Sequence, residues 1–377
     1  MKNSIKKILI AHSSNDNYGS SKILISVVDI FIKNGYDIYL MLPNNGPLND
    51  NQIIKKTNLT ILNLGVFRKK YFTILGLINR LYFIIKSSLF IKKFLKKNQI
   101  DLVYTNTSTI ISPAIAAKLA GKPSIYHIHE IPYGNSIYSK FMGNFLNHFA
   151  DDIVSVSNAV NKFWLSKGII SNKIKIIYNG FKLSSRPTKK IITKKIIFTS
   201  ISRIIPYKGH MLMIDIFEKI CKNNSNIHLQ IIGDTLPEYQ DYLIDLKFKI
   251  KKKGLNNNIS FLGFRDDIMK ILQNSSFFIH TPISPDPLPT VVFESIMNRT
   301  PVITNDLGGA YEILNNGRNG LIINNNDIEL SSQLIINYLK NNTKQALNVN
   351  NAYEYVKSNF NYNKFENKIK STINRYA

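Results

Sequence analysis

Short apolar strands alternate with amphipathic helices along almost the whole chain, and this series occurs twice. The first series begins with an apolar strand at 7–11 and ends with one at 153–157. The second begins at 196–202 and reaches a strand at 302–304. Strands that alternate with helices form a parallel sheet covered on both faces. The sequence therefore predicts an α/β protein of two Rossmann-like, doubly wound domains facing a cleft, with ligands bound at the carboxyl ends of the strands.

A polar segment without periodicity, 181–194, separates the two series and is the predicted linker. We expect an N-terminal domain at 1–180 and a C-terminal domain at 195–357. A basic helix at 358–377 is expected to pack back on the N-terminal domain. The length of 377 residues agrees with two domains, because it exceeds what a single core usually supports.

The sequence features that report on cellular compartment favour the cytoplasm. Cys221 is the single cysteine, which excludes an intrachain disulfide and suits a reducing environment. The apolar run at 8–11 is too short for the core of a secretion signal. No uninterrupted apolar run approaches the roughly 20 residues that span a bilayer. We therefore expect a cytoplasmic protein.

The net charge of +25, from 49 Lys and Arg against 24 Asp and Glu, would suit a polyanion or an anionic membrane surface. Lys, Asn and Ile are abundant throughout the chain, so the charge is diffuse and is weak evidence for any one partner. No nucleic-acid-binding module and no basic and aromatic surface pattern occurs. Nucleic-acid binding is therefore a disfavoured alternative, and a filter-binding assay at physiological salt would detect it.

One segment, 71–97, combines positive charge with strong hydrophobicity. It is predicted to be helical, it is rich in Ile, Leu, Phe and Tyr, and it carries Arg and Lys without a single acidic residue. An apolar face with cationic flanks is what an interfacial helix needs. We therefore predict peripheral contact with the inner face of the cell membrane. The alternative is a core helix with a lysine-rich solvent face.

The stretch Ser284–Asn305 contains two carboxylates on either side of a turn. Three prolines near its start favour a loop, and Thr290 is expected to cap the helix that follows. Asp286 lies in the loop, and Glu294 lies one turn into the helix. Two interpretations remain open for this stretch. It is either an ordinary loop before a capped helix, or a rigid anion site with helix amides directed at a phosphate.

Two cations, Arg203 and Lys208, lie in the loop between the strand at 196–202 and the next helix. Pro206 stiffens this loop, and Gly209 opens its turn. A planar guanidinium beside an ammonium group suits a diphosphate. The alternative is a solvated basic turn.

These motifs together resemble a known family. In chain order they are Ser202-Arg203 with Tyr207-Lys208-Gly209, then Gly233-Asp234, Phe261-Leu262-Gly263-Phe264 and the Asp286-x7-Glu294 turn. Their order and spacing resemble the second domain of GT-B fold glycosyltransferases of the large retaining family 4, the group 1 type. The segments Gly19-Ser20-Ser21-Lys22, His127-Ile128-His129-Glu130 and Tyr178-Asn179-Gly180 are similar to that family's first domain. The usual signature has Glu at the first acidic position, where this chain has Asp286.

The resemblance implies a role in the reaction for several residues. Arg203 and Lys208 would hold the donor's diphosphate and stabilise it as it leaves. Asp286 would meet the donor sugar with a shorter reach than Glu. His129 would face the transferred sugar, and Gly19 would lie close to the donor. The residues implied in catalysis are Arg203, Lys208, His129 and Asp286, and those implied in donor binding are Gly19, Gly233, Phe264, Asp286, Thr290, Val291 and Glu294.

Other parts of the donor would be bound by the second domain, which the resemblance makes the nucleotide-sugar-binding domain. Glu294 would hydrogen-bond the donor ribose. Backbone amides around Thr290 and Val291 would contact the phosphate, and Phe264 would flank the nucleobase. The first domain would lie on the acceptor side.

The resemblance implies a retaining glycosyltransferase of the hexosyltransferase type. It would move a sugar from a nucleotide-diphosphate donor to a glycan or lipid-linked acceptor in cell-surface polysaccharide synthesis, such as lipopolysaccharide or capsule. No cofactor and no metal are expected, because fixed cations and helix amides can stabilise the leaving group and the sequence contains no Asp-x-Asp triplet. The alternatives within the fold are an epimerase, which needs no acceptor, and a glycan phosphorylase, which would need a pyridoxal-binding lysine. The sequence does not predict the nucleotide, the sugar or the acceptor.

Overall fold

The computed structural model describes residues 6–67, 71–134, 136–182, 195–222, 224 and 226–376. The chain forms two compact units. The first comprises Met1–Gly180 together with Tyr362–Ala377, and the second comprises Phe181–Asn361. Most of the predicted linker, 183–194, lies outside the described residues.

Within the described residues, the first unit is built on seven parallel strands. The strands are β1 (Lys7–Ala11), β2 (Asp37–Leu42), β3 (Asn58–Ile61), β4 (Leu102–Thr105), β5 (Ser124–Ile128), β6 (Asp152–Ser155) and β7 (Ile174–Ile176). The helices are α1 (Gly19–Lys33), α2 (Ile74–Lys97), α3 (Ser112–Ala120), α4 (Ser136–Phe149) and α5 (Asn158–Ser166). The strand order is β3-β2-β1-β4-β5-β6-β7, so the winding direction reverses between β1 and β4. That reversal is the topological switch point of the sheet.

Helices cover both faces of this sheet, and β1 shows why. Ile8 and Ile10 pack in the same cluster as α1, whereas Leu9 and Ala11 pack in the cluster of α2. All four side chains are fully buried. A strand buried on both faces needs a continuous apolar run rather than alternation, and β1 has one.

The second unit repeats the plan, with six parallel strands among its described residues. The strands are β8 (Ile196–Ile201), β9 (Ile227–Ile232), β10 (Ile259–Phe261), β11 (Phe277–His280), β12 (Val302–Thr304) and β13 (Leu321–Ile322). The helices are α6 (His210–Cys221), α7 (Gln240–Lys252), α8 (Ile268–Asn274), α9 (Thr290–Met297), α10 (Gly309–Ile313), α11 (Ile328–Leu339) and α12 (Asn342–Asn359). The order β10-β9-β8-β11-β12-β13 reverses between β8 and β11.

The predicted α/β class with two Rossmann-like, doubly wound domains is confirmed. The sequence pattern missed β7 and β13, which have three and two residues and lie at the sheet edges. Strands this short carry too few residues for their periodicity to be recognised.

The boundary between the units differs from the predicted one at both ends. Phe181, predicted as the first linker residue, donates its backbone N–H to the Phe360 carbonyl (2.9 Å) and stacks on Phe293 within the second unit. The last helix was predicted to start at 358. The last helix is α13 (Tyr362–Ile373) and starts at Tyr362, because α12 continues to Asn359 and the Phe360 ring is buried against Phe293.

The last helix, α13, packs on the first unit. Phe365, Ile369 and Ile373 are at most 1% exposed and share a core cluster with α1. After the helix, the Arg375 guanidinium and the Tyr376 hydroxyl both donate to the buried Asp152 carboxylate, each at 2.5 Å. The end of the chain is therefore held to the sheet by apolar burial and by a charged pair.

Helix α2 is long and apolar enough to cross a membrane by length and composition alone. It has 24 residues, and its most apolar stretch of 18 residues has a mean hydropathy of 1.6. The sequence-based exclusion of a spanning segment relied on uninterrupted apolar runs and missed this helix, because Asn79-Arg80 and Lys86-Ser87-Ser88 interrupt its run. A helix of a water-soluble fold can meet the same criterion, so the packing of α2 has to decide between the two.

Candidate functional site

In the second unit, the residues that the sequence motifs single out follow four neighbouring strands. Phe264 comes after β10, Gly233 after β9, Arg203 after β8 and Asp286 after β11. The strands are parallel and adjacent in the order β10-β9-β8-β11, so their carboxyl ends lie side by side along one edge of the sheet. The winding direction reverses between β8 and β11, and this is the switch point at which doubly wound sheets bind ligands.

The loop that carries Lys208 is pressed against the loop after β11. Pro206–Lys208 forms one turn of 3₁₀ helix, and Gly209 closes it with a φ of 75°. A Cβ atom on Gly209 would collide with the Thr281 carbonyl oxygen. The two loops are also joined by a hydrogen bond from the Ile283 N–H to the Tyr207 carbonyl (3.0 Å). The loop after β11 therefore fixes the backbone that carries Lys208.

The carboxylate of Asp286 forms an ion pair with the Lys208 ammonium group, with Nζ on Oδ2. The Nε2 atom of His280, at the end of β11, lies 3.1 Å from the same oxygen. The Asp286 side chain is only 8% exposed. Burial by itself would raise the pKa of Asp286, but the Lys208 charge and the His280 ring outweigh it and hold that pKa well below its usual range. Asp286 is therefore ionised, and it fixes the position of Lys208.

Helix α9 begins directly after this loop, one residue away from the predicted cap. Pro289 occupies the N-cap position with extended backbone, and Thr290 is the first helical residue, so the prediction that Thr290 caps the helix is wrong. Pro289 has no side chain that could accept from the first amides of the helix. Glu294 lies one turn further on and is half-buried. Its main-chain carbonyl accepts from the backbone N–H (3.2 Å) and side-chain amide (2.9 Å) of Asn298.

Two glycines after β12 hold the other side of the Asp286 loop. Gly308 has a φ of 81°, and a Cβ atom there would collide with the Asp286 backbone. A Cβ atom on Gly309 would collide with the Pro287 carbonyl oxygen. The Gly309 N–H donates to the Asp286 carbonyl (2.7 Å). The loop is thus fixed between Gly209 on one side and this glycine pair on the other.

The outer part of the row is formed by the ends of β9 and β10. Gly233 has a φ of 133°, and a Cβ atom there would collide with the Ser202 carbonyl oxygen. Its N–H donates to the Gly263 carbonyl (2.9 Å). The next residue, Phe264, is 45% exposed. A large aromatic ring thus stands at the surface two strands away from Arg203.

Replacing Gly209 with alanine is expected to lower the free energy of unfolding by about 3 kcal/mol or more, because a left-handed backbone and a collision with a carbonyl add together. Gly254 offers a matched control. It has a φ of 69°, but a Cβ atom there meets nothing within 4 Å. Gly254→Ala should therefore cost only about 1 kcal/mol of backbone strain. Thermal denaturation measures both, and equal losses would contradict a role for the contact with Thr281.

In the first unit, His129 follows β5 and belongs to a partly buried hydrogen-bond network. Its Nε2 atom lies 3.0 Å from the Asn106 Oδ1 atom. The Asn106 side-chain nitrogen donates to the Ser20 carbonyl (3.3 Å), which fixes the orientation of the amide. The Asn106 oxygen must therefore accept, and the proton of His129 lies on Nε2.

The His129 ring is neutral. Burial lowers the pKa of His129 well below 6.5, and the neighbouring His127 and His12 rings lower it further. The centroids of the His127 and His129 rings are 4.2 Å apart. His129 can therefore take part in hydrogen bonds at physiological pH, but it carries no positive charge.

Gly19 follows β1 and lies at the same edge of this sheet as His129, where the strands end. It is the first residue of α1, and Tyr18 before it makes no side-chain cap. The loop is closed by Asp16, whose Oδ1 accepts from the Tyr18 N–H (3.1 Å) and the Ser21 hydroxyl (2.8 Å). The Ser21 hydroxyl oxygen lies 3.2 Å from the Nε2 atom of His12. The Gly19 loop and the His129 network are thus connected within the first unit.

Sequence reasoning did not identify His280, Asn106 or the Gly308-Gly309 pair as parts of these sites. The glycine pair in the loop after a predicted strand was a readable signal, because two glycines there allow close backbone approach. His280 and Asn106 had no comparable signal, since their importance depends on which side chains the fold places beside them.

Two family models match the chain. The model described as Glycosyltransferase Family 4 matches residues 19–185. The model described as Glycosyl transferases group 1 matches residues 182–355. The two matches together extend from 19 to 355.

Proteins similar to this chain have been described in bacteria and archaea. An uncharacterized glycosyltransferase of Methanocaldococcus jannaschii is 27% identical, over 92% of this chain and 93% of that protein. The Escherichia coli UDP-Gal:alpha-D-GlcNAc-diphosphoundecaprenol alpha-1,3-galactosyltransferase is 24% identical, over 87% of each. The crystal structure of Anabaena HepE in complex with UDP and glucose has a TM-score of 0.82 and 23% identity, covering 98% of this chain and 99% of that one.

Proposed function

We propose that this chain, which belongs to the group 1 glycosyltransferases of the GT-B fold, is a retaining, metal-independent hexosyltransferase. The chain is a glycosyltransferase of polysaccharide or glycolipid synthesis. Its donor would be a nucleotide-diphosphate sugar and its acceptor a glycan or a lipid-linked glycan. The observation that carries this proposal is the row of Phe264, Gly233, Arg203 and Asp286 at four adjacent strand ends.

Residues at these strand ends, together with Glu294 on α9, would bind the parts of a nucleotide-diphosphate sugar. The exposed Phe264 ring would lie against the nucleobase, and Glu294 would accept hydrogen bonds from the ribose. Arg203 and Lys208 would bind the diphosphate at the switch point, together with the first amides of α9 at Thr290. Together these residues would contact the nucleobase, the ribose and the diphosphate of the donor.

The reaction breaks the bond between the sugar and the diphosphate, so negative charge develops on the leaving phosphate oxygens. Lys208 is already oriented by its ion pair with Asp286, so little reorganisation is needed when that charge appears. Two fixed cations and helix amides can supply this stabilisation without a metal ion. Asp286 would also meet a hydroxyl of the donor sugar.

The first unit would contribute His129 to the transferred sugar. A neutral ring with its proton held on Nε2 by Asn106 can bond a sugar hydroxyl but cannot act as a cation. Gly19, at the start of α1, would allow a close approach of backbone to the donor. We assign no enzymic nucleophile, and retention would follow from attack on the face that the leaving group vacates.

The relatives support a UDP-hexose donor and a membrane-bound acceptor. HepE has been crystallised with UDP and glucose, and the Escherichia coli enzyme is named for UDP-Gal and a diphosphoundecaprenol acceptor. Both are similar to this chain over most of its length. We therefore propose that the enzyme works in the cytoplasm, at the inner face of the cell membrane, on a growing cell-surface polysaccharide.

A screen of nucleotide sugars by thermal stabilisation tests the proposal, because a ligand that binds the folded state raises its melting temperature. UDP-hexoses are expected to stabilise the protein, with and without EDTA. The donor that binds is then incubated with polyprenyl-diphosphate-linked acceptors, and the anomeric configuration of the product is read by NMR. Inversion, or a requirement for a divalent cation, would overturn the mechanism. Release of a free epimerised sugar without acceptor would instead indicate an epimerase.

A further inference from the structure

Helix α2 exposes a broad apolar face in the described part of the first unit. Six side chains on this face are between 52% and 80% exposed, namely Ile74, Leu75, Ile78, Leu81, Ile85 and Leu89. Apart from the adjacent Ile74 and Leu75, they are spaced three or four residues apart, which places them on one side of the helix along about 22 Å of its axis. Contiguous exposed apolar surface of this size marks an interaction site rather than ordinary scatter.

The opposite side of α2 is part of the core of the first unit. Ile91 and Leu95 are fully buried, and Ile84 is 5% exposed. The Ser88 hydroxyl donates to the Ser112 carbonyl at the start of α3 (3.3 Å). Crossing a bilayer would remove these contacts and leave the sheet uncovered, so α2 belongs to the fold and its apolar face is available only from one side.

The charges on α2 indicate which kind of surface would cover this face. The segment 71–100 contains no acidic residue. Lys93, Lys96 and Lys97 are exposed in the last two turns of the helix, and Lys86 is exposed beside the apolar face. Positive charges beside an apolar stripe complement a lipid surface with anionic headgroups. A neutral protein partner would not complement these charges.

The apolar face continues from α2 onto α4. The Phe72 ring, just before α2, contacts the Tyr138 ring of α4 with their centroids 5.6 Å apart. Next to Tyr138, Ile137 is 85% exposed, and one turn on, Phe141 is 50% exposed. The segment 131–150 also lacks acidic residues. Both helices therefore present exposed apolar side chains without negative charge, and the Phe72–Tyr138 contact joins them.

We propose that α2 and the start of α4 form a docking surface for a bilayer that contains anionic phospholipid, with α2 lying in the interface rather than crossing it. The apolar side chains enter the boundary between headgroups and acyl chains, and the lysines bind the headgroup phosphates. The proposal goes beyond the enzyme's reaction. Its test measures lipid binding in the absence of donor and acceptor. The docking proposal can therefore fail while the proposed function stands, or stand while the proposed function fails.

Co-sedimentation of the full chain with vesicles tests the docking surface. Vesicles of phosphatidylcholine mixed with phosphatidylglycerol are expected to bind the protein, and vesicles of phosphatidylcholine alone to bind it weakly. Ile78→Glu with Leu81→Glu should reduce binding to the mixed vesicles about tenfold or more. The control is Ile244→Glu with Phe248→Glu on α7. These side chains are 62% and 68% exposed, so the same charge is introduced at equally exposed apolar positions and binding should persist.

A second set of variants tests the lysines. Lys93→Gln, Lys96→Gln and Lys97→Gln combined should weaken binding to the mixed vesicles and reduce its dependence on salt. The control removes three exposed lysines of α7 by Lys247→Gln, Lys251→Gln and Lys252→Gln, and it should bind as the unmodified chain does. Circular dichroism confirms that each variant is folded, which is expected because all the replaced side chains are exposed.

Three results would overturn the proposal. Equal binding to both kinds of vesicle would remove the role of anionic lipid. Release from membranes by detergent but not by alkaline carbonate would indicate a spanning helix. A dimer in light scattering that Ile78→Glu with Leu81→Glu dissociates, in a protein that does not bind vesicles, would show that a second copy covers this face.

Discussion

Replacing Lys208 with alanine is expected to lower kcat for sugar transfer by about 10²–10³-fold and to lower the free energy of unfolding by about 3–5 kcal/mol. The first effect follows from the proposed contact of Lys208 with the leaving diphosphate. The second follows from Asp286, whose buried carboxylate would lose its ion-pair partner. Steady-state kinetics, with the donor found by screening, measure the first effect. Thermal denaturation measures the second.

A double variant separates these two roles of Lys208. Lys208→Met with Asp286→Asn removes both charges at similar volume, so most of the stability should return while transfer stays low. Recovery of transfer in the double variant would show that Lys208 does not act on the donor. If Lys208→Ala has unchanged stability, the ion pair does not hold the loop.

The stability effect of the ion pair also has a defined pH dependence. The pKa of Asp286 is lowered in the folded protein, so the stabilisation is present above the ordinary carboxyl pKa of about 4. It is lost as the pH falls further, through the folded pKa. The difference in stability between the unmodified chain and Lys208→Ala should therefore be full at neutral pH and should shrink on acidification below about pH 4.

Replacing Glu294 with glutamine is expected to raise KM for the donor by about 10–100-fold, because a hydrogen bond to a charged group is exchanged for a neutral one. Stability should change little. The two hydrogen bonds from Asn298 accept at the main-chain carbonyl of Glu294, which the substitution leaves in place. Steady-state kinetics and thermal denaturation of the same preparation measure both quantities.

The matched control for this substitution is Glu329→Gln on α11. Glu329 is an exposed carboxylate of the same unit and pairs with Lys219 at 2.6 Å. A surface pair of this kind contributes about 1 kcal/mol or less to stability. Because Glu329 has no proposed contact with the donor, donor KM should not change. An unchanged KM for Glu294→Gln as well would contradict a contact between Glu294 and the donor.

Much of the fold and part of the site could be predicted from the sequence, because both depend on local pattern. The apolar runs at 7–11 and 196–202 mark strands buried on both faces, and the helices between strands require a parallel sheet. Parallel strands place the residues that follow them at one edge, so the strand pattern was enough to place Arg203 and Asp286 at the same edge. That β8 and β11 are neighbours came only from the fold. The donor contacts of Arg203 and Asp286 remain predictions.

Other features could not be predicted, because they depend on residues far apart in the chain. Lys208 and Asp286 are 78 positions apart, and nothing local to either shows that they form an ion pair. The unit boundary is set by Phe181, Phe293 and Phe360, which meet only after the second unit has folded. The N-cap of α9 is Pro289 rather than Thr290, a shift of one residue that composition does not resolve.

The sequence by itself determined the class of the fold, the order of its strands and helices, and the set of residues at the strand ends. Only the tertiary structure decided how those residues act together: Asp286 holds Lys208, and Asn106 sets the proton of His129. It also decided that one side of α2 is core and the other is exposed, which hydropathy alone cannot distinguish. The physical reason is the same in each case. Periodicity is a property of residues that are neighbours in the sequence, whereas burial and pairing depend on which distant residues the fold places against a side chain.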